Sequence, residues 1–412
     1  MMSLCSALTL ACGAPGETPL DAGSAPRDAT GDHSRIDAPV DATADHRSKD
    51  AAPDHVYRDA QPDARLDGGD DGTPGDGGVL PFFDAGTCGV GSQGEPTDLS
   101  CTGLYSNFAT KTVASNVRPY TPGLALWSDG AQKSRWIYLP PGTTIGTSDM
   151  DEWTFPVGTK LWKEFRLTVG ASTTPTRIET RLIWKTATST WYRTTYRWSS
   201  DGETSATELT LGQEDANGEG YEIPNQGMCN TCHDGRIDGV LGFEAVSLGS
   251  SAAQGFAMPE LLEAGVLSNA PSSPLTIPGD PTAAAALGWL HVNCGESCHN
   301  GGQGEAKSTG FRTRLDVATL DRVDATDTYT TGWNLLDRDY EIPGTAVTYR
   351  LHACSPGTSA AYYRAAHRDH VDGAPEGTQM PPIDTHRVDD AGLSLLAAWI
   401  DEACDAGASD AQ

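Results

Sequence analysis

Two short stretches carry residue types at spacings that suit covalent cofactor chemistry. Cys229-Asn-Thr-Cys232-His233 has two thiols three positions apart and a His directly after the second. Cys294-Gly-Glu-Ser-Cys298-His299 repeats the arrangement with one more residue between the thiols. Attachment of haem c needs this layout. Two thiols add across the porphyrin vinyl groups, and the next imidazole reaches the iron because its loop folds it under the ring. The chain has ten His in 412 residues, so a chance His at one such position has odds of about 2–3%. The pair therefore points to two covalently bound haems c, with His233 and His299 as proximal iron ligands.

Three rival chemistries use the same residues. A zinc site can combine C-x-x-C with C-x-x-x-C, but the halves lie over sixty residues apart and zinc does not call for the trailing His. Thioredoxin-like exchange needs C-x-x-C at a βα junction, which the Gly- and Asn-rich surroundings do not supply. Two plain disulfides would leave the histidines unexplained.

An iron held by one His needs a sixth ligand or an open face. Met380 stands in Gln379-Met380-Pro381-Pro382-Ile383, stiffened by two prolines, and is the expected partner of the His299 haem. Its competitors are His352, His367, His370 and His386. For the first haem Met258 is the nearest downstream candidate, its bland alternative being an apolar contact ahead of Leu261 and Leu262. Met228 is too close to Cys229 to cross to the opposite face.

The elements that must position these residues differ along the chain. From Cys88 to Tyr221 the pattern is aromatic and β-branched. Ile178, Thr180, Leu182 and Trp184 alternate against Arg177, Glu179 and Arg181; after a short polar loop Tyr192, Thr194, Tyr196 and Trp198 alternate against Arg193 and Arg197. Period two on both sides predicts a β-hairpin with one buried face. Its tryptophans read as core, with a carbohydrate-binding aromatic strip as the sharper alternative. Beyond Gly220 short helices are expected. Asp280-Pro281 opens one that runs into Cys294. A closing helix, capped by Asp389 or Asp390, places Leu393, Leu396, Ala397 and Ile400 on one face.

Composition sets the compartment. Net charge is −28, which argues against a nucleic-acid partner and favours a basic one. Residues 13–86 hold sixteen acidic against six basic residues, a net of −10, with Ala, Pro and Gly between. Such a segment lacks the apolar surface to fold, and as a coil would span about 45–50 Å. A calcium loop is not expected there, because the EF-type glycine spacing is missing. Thr9-Leu10-Ala11-Cys12-Gly13 resembles a lipobox whose Cys12 would carry lipid, although no Lys or Arg precedes the short apolar run. With Cys5 lost with the signal, Cys88, Cys101, Cys354 and Cys404 remain for two disulfides; Cys88–Cys101 closes a short loop and leaves Cys354–Cys404 as complement.

Residues from about 118 to 400 resemble a family of bacterial (myxobacterial-type) dihaem c-type cytochromes, often lipoproteins. The stretches concerned are LWSDGAQKSRWIYLPPG, FPVGTKLWKEF, RIETRLIW, IPNQGMCNTCH, LGWLHVNCGESCHN, MPPIDTH and AGLSLLAAWI. The resemblance implies an α+β multidomain chain, an N-terminal β-rich antiparallel domain followed by a mainly α-helical cytochrome c-like region. The expected segments are a signal (1–12), a linker (13–86), the β-rich domain (87–222), a first haem-binding segment (223–279) and a second haem domain (280–406). The second motif departs from the family's commoner two-residue spacer. The expectation is an exported, lipid-tethered electron-transfer protein on the outer membrane or cell surface. Its alternatives are a peroxidase- or oxidase-like enzyme with an open first haem, for which Arg236 is the candidate distal cation, and a β-domain binding module with accessory haems.

Overall fold

The alternating stretches pair as expected, and they become the centre of a larger sheet. The computed structural model describes residues 88–409 apart from 93, 339–340, 343 and 370–376. These belong to one compact unit, 76–412. Cys12, the expected signal, the linker at 13–86 and His370 lie outside the described residues.

The strands are β1 (Tyr105–Asn107), β2 (Thr112–Val113), β3 (Arg118–Thr121), β4 (Gln132–Tyr138), β5 (Lys160–Leu167), β6 (Thr176–Ala187), β7 (Thr190–Trp198), β8 (Ala206–Glu208) and β9 (Gln254–Gly255). β1 and β2 form a small ribbon; the others form an antiparallel sheet in the order β8-β7-β6-β5-β4-β3-β9. The helices are α1 (Met228–His233), α2 (Ala245–Gly249), α3 (Met258–Glu263), α4 (Pro281–Leu290), α5 (Asp327–Gly332), α6 (Ala360–Ala365) and α7 (Asp390–Ser409). The fold is thus mixed α+β, with an antiparallel sheet preceding most of the helices.

One sheet face buries Trp136, Trp162, Leu182, Trp184, Tyr196 and Trp198 against Leu99 and Leu104. Trp162 donates to Thr102 Oγ1 at 3.0 Å and Trp198 to Thr180 Oγ1 at 2.9 Å, so these rings are core side chains and not an exposed sugar-binding strip. Two expectations for the hairpin change. Phe165 pairs with Glu179 while Arg166 pairs with Arg177, so a bulge at Ile178 takes that residue out of the alternation and into a separate cluster with Phe165 and Ile223. The second face is also covered. Ile137 and Leu161 on that face join one large core with α2, α3, α4 and α7, and Glu179 between the clusters is 0% exposed. That core runs from Tyr120 to Ile400, so the segments divided at 222/223 and 279/280 share packing. The polar side of the hairpin is an interior wall.

The helix starts follow their capping residues. Asp280 accepts from Thr282 and Ala283 N–H, both at 2.9 Å, ahead of Pro281. Asp389 accepts from Gly392 N–H at 3.0 Å and from Trp289 Nε1 at 2.8 Å, which ties α7 to α4. Leu393, Leu396 and Ile400 are buried as predicted, and Trp399 joins them. Cys88 pairs with Cys101, and Cys354 with Cys404, with Cα separations of 6.1 and 5.1 Å. Among the described residues no helix is long and apolar enough to cross a membrane.

Candidate functional site

The CNTCH stretch forms α1, and the sheet's inner wall holds it at both ends. Arg193 of β7 donates to Asn230 Oδ1 at 2.6 Å and to Asp234 Oδ1 at 2.8 Å. Beyond the helix the buried Asp238 accepts from Lys185 Nζ at 2.6 Å, from Trp191 Nε1 at 3.2 Å and from Phe155 N–H at 2.6 Å. These cations belong to the polar side of the hairpin and its loop. Just past the second anchor the chain bends back at Gly239 (φ 61°), whose carbonyl meets His233 Nδ1. A carbonyl only accepts, so Nδ1 carries the proton and Nε2 keeps its lone pair.

The second motif is wound differently. After α4 the chain widens into a π turn over His291–Gly295, in which Glu296 N–H reaches His291 O at 2.8 Å. His299 N–H likewise spans five residues to Cys294 O at 2.8 Å, whereas in α1 Asp234 N–H spans four to Asn230 O at 2.8 Å. A π turn holds one residue more than an α turn, and this is where the longer spacer is accommodated. His299 Nδ1 donates to Phe311 O at 3.0 Å, and the ring meets Phe311 edge-on. The imidazole thus has the same tautomer as His233.

The two motifs touch although 65 residues separate the contacting atoms. Asn300 Nδ2 donates to Gly235 O at 2.9 Å. A side chain on Gly235 would place Cβ 1.9 Å from Ser297 O, so only glycine permits this approach. Arg236, with its side chain 4% exposed, gives Nη1 to both oxygens of Glu296 at 2.6 and 2.7 Å. Arg314 and Glu152 extend the network. Arg236 is therefore not the free distal cation weighed for an open haem; it is the clamp between the motifs. Glu296, a spacer residue, had no sequence signal beyond being a carboxylate in a tight loop.

None of Cys229, Cys232, Cys294 and Cys298 is in a disulfide. Burial raises the pKa of all four, Cys232 and Cys294 to about 12. Partly buried thiols whose pKa is raised are poor exchange nucleophiles, which weighs against thioredoxin-like chemistry. Among the described residues the only His/Cys/Asp/Glu group with ligand atoms within 4.8 Å of one another is Glu244, His291 and Glu296. The four sulfurs are thus not gathered as a zinc site requires. That carboxylate–His group is itself already engaged: Leu315 N–H donates to His291 Nδ1 at 2.9 Å, which puts the ring proton on Nε2 facing Glu244 at 3.5 Å, and Arg236 neutralises Glu296.

Met380 is partly exposed, on a tightly held loop. Its N–H donates to Arg364 O at 3.0 Å, and the Arg364 guanidinium donates to Thr378 O at 3.0 Å and Gly377 O at 2.9 Å. Gln379 Nε2 donates to Pro381 O and Thr385 O, both at 2.9 Å. Arg364 acts electrostatically on His299, and Asp384 of the same loop on Cys229 and Cys232, so the loop lies within reach of both motifs. The buried Asp129 accepts from His386 and Arg387 N–H at 2.9 and 3.1 Å, docking the LWSDG loop on the same segment. Three of the competing histidines are described, and their ring contacts are these. His352 bonds Thr358 Oγ1 at 2.7 Å, His386 bonds Glu222 at 2.9 Å, and His367 stacks on Tyr363 with Nδ1 2.6 Å from its carbonyl. Met258 opens α3 within the large core, 7% exposed, in the position of an apolar contact.

The donor set fits haem c: paired neutral thiols, each pair followed by an imidazole whose Nδ1–H is fixed and whose Nε2 is free. Such second-shell anchoring accompanies metal-ligating histidines generally. No protein-family model matches the chain, and no curated protein or solved structure matches it significantly.

Proposed function

We propose that the chain is a dihaem c-type cytochrome that transfers electrons, of the bacterial lipoprotein kind its motifs resemble, with residues 223–406 as its cytochrome c-like part. The carrying observation is the contact of the two Cys–His motifs through Asn300 and Gly235, with both imidazoles fixed by carbonyls at Nδ1. Cys229 and Cys232 would hold one haem and Cys294 and Cys298 the other, with His233 and His299 as proximal ligands. Met380 is the sixth ligand we assign to the His299 haem; Met258 is left out of the set. Each bound haem supplies a one-electron ferric–ferrous couple. The chain's part is to fix two imidazoles in one rigid body and keep the motifs side by side, so that an electron entering at one has a short path to the other. The tether would be lipid on Cys12, the linker a stalk, and the site of action the outer membrane or cell surface. The acidic chain would steer a basic redox partner.

Expression of the full chain with a c-type haem-maturation system tests this. Two covalent haems per chain are expected on a haem-stained denaturing gel and by haem quantitation, falling to one in Cys298→Ala and in Cys232→Ala. Absence of covalent haem from the wild type would overturn the reading. Carbon monoxide binding by the reduced protein would move it to the open-haem enzyme class.

A further inference from the structure

The interior wall of the sheet carries cations that outnumber the carboxylates paired with them among the described residues. Strand register sets Arg135 of β4 opposite Lys163 of β5, Lys163 opposite Arg181 of β6, and Arg181 opposite Thr195 of β7. Three cations thus stand in one row on one face, at the cross-strand spacing of about 5 Å at which like charges destabilise a sheet. Lys133 follows on the same face, its Nζ bonded to Leu126 O at 2.5 Å. Arg181 is compensated: it chelates Glu179 at 2.8 and 2.9 Å, and Asp384 lies within its electrostatic reach. Arg135 and Lys163 have neither an ion pair nor a hydrogen bond among the described residues; Lys163 only overlies the Phe165 ring, at 5.0 Å. At the end of the row Thr195 is 3% exposed and its hydroxyl has no partner.

Burial drives the Lys163 ammonium well below its usual range, Arg135, Lys133 and Arg181 add repulsion that Glu179 only partly offsets, and the side chain keeps part of its accessible surface. The first motif lies over this wall. α1 is bonded to Arg193 one register row away, and Lys163 and Arg181 act electrostatically on both Cys232 and His233. His299 instead senses Arg364 and Arg350. The wall therefore belongs to the CNTCH side.

We infer that Arg135, Lys163 and the Thr195 hydroxyl form a carboxylate-binding subsite that receives the propionates of the haem attached at Cys229 and Cys232. This rests on the function proposed above. The ligand class follows from the wall: two basic side chains with neither an ion pair nor a hydrogen bond among the described residues, beside an orphan hydroxyl, call for anionic acceptor oxygens, and the propionates are the anions that a porphyrin anchored at α1 brings.

The test uses the full chain loaded by a haem-maturation system, with Lys163→Met and Arg135→Met as variants and the exposed Arg322→Met as control. Loss of a cation beside the propionates should lower the midpoint potential of one haem and leave the other unchanged. The propionate-bending band in resonance Raman spectra should shift with it, and the control should match wild type. In protein produced without haem, Lys163→Met should raise the thermal midpoint by removing an amine that burial penalises and no hydrogen bond satisfies among the described residues; in loaded protein it should lower it. If the unloaded chain does not fold, the potentials and the Raman band decide alone. Loaded variants with wild-type potentials and bands would overturn the subsite while leaving the dihaem reading intact. A wild type that carries no covalent haem would defeat the dihaem reading itself, and the subsite with it.

Discussion

Glu296 shows how much one spacer residue carries. The second motif has three residues between its cysteines, and one of them meets Arg236 in a pair whose side chains are 4% and 1% exposed. Removing one partner of such a pair leaves a buried charge, which costs about 3–5 kcal/mol. Arg236→Met should cost about 3 kcal/mol, the low end, because Arg314 remains 3.6 Å from Glu296. The double variant Arg236→Met/Glu296→Met should be clearly more stable than the single one. Urea unfolding of the three proteins reads this directly, and equal losses in the single and double variants would mean that the pair is not coupled. At this scale the sequence was legible where adjacency decides: Cys–His neighbours, Asp–Pro helix starts and a Met between Gln and two prolines. It offered Arg236 as a distal cation and was silent on its pairing with Glu296, because a guanidinium chooses its carboxylate in space.

Among the elements, the two motif turns use different helical windings to present the same set of groups. α1 is α-helical, while the α4 extension is π-wound from His291 to Gly295. Their contact depends on Gly235, where a Cβ would meet the Ser297 carbonyl at 1.9 Å. Backbone on both sides leaves little room to yield, so Gly235→Ala should cost about 1–3 kcal/mol as an overpacking change. A denaturant midpoint equal to wild type would show that the motifs separate without loss. The hairpin makes the complementary point. Its alternation predicted two strands joined as a hairpin, and it placed Trp184 and Trp198 in the core correctly. It also led to the expectation of one buried face, because a row of Arg, Glu and Lys reads as solvated when nothing is known of what packs on it. The polar face is instead the wall on which α1 rests.

For the whole molecule, closure at the C-terminal end matters most. Cys354 and Cys404 lie 50 residues apart in the chain and bracket α6, the Met380 loop and most of α7. A link across a loop of that length contributes about 4 kcal/mol by chain entropy, and measured values commonly fall below that estimate. Cys354→Ser/Cys404→Ser should therefore lose about 2–4 kcal/mol in urea unfolding, with Cys88–Cys101 left intact. A variant as stable as wild type would show that α7 is held by its packing on α4 alone.

What the sequence determined by itself is local: the Cys–His adjacencies, the helix caps at Asp280 and Asp389, the hairpin alternation and the even set of cysteines left for two disulfides. Each depends on neighbours within a turn or a strand, where covalent geometry limits the options. Tertiary structure alone decided that the two motifs touch, that Glu296 and Arg236 join them, and that Arg135, Lys163 and Arg181 line up in one cross-strand row. Those facts depend on strand register and on which faces meet, and both follow from burying the apolar surface of the chain from Tyr120 to Ile400 in one core.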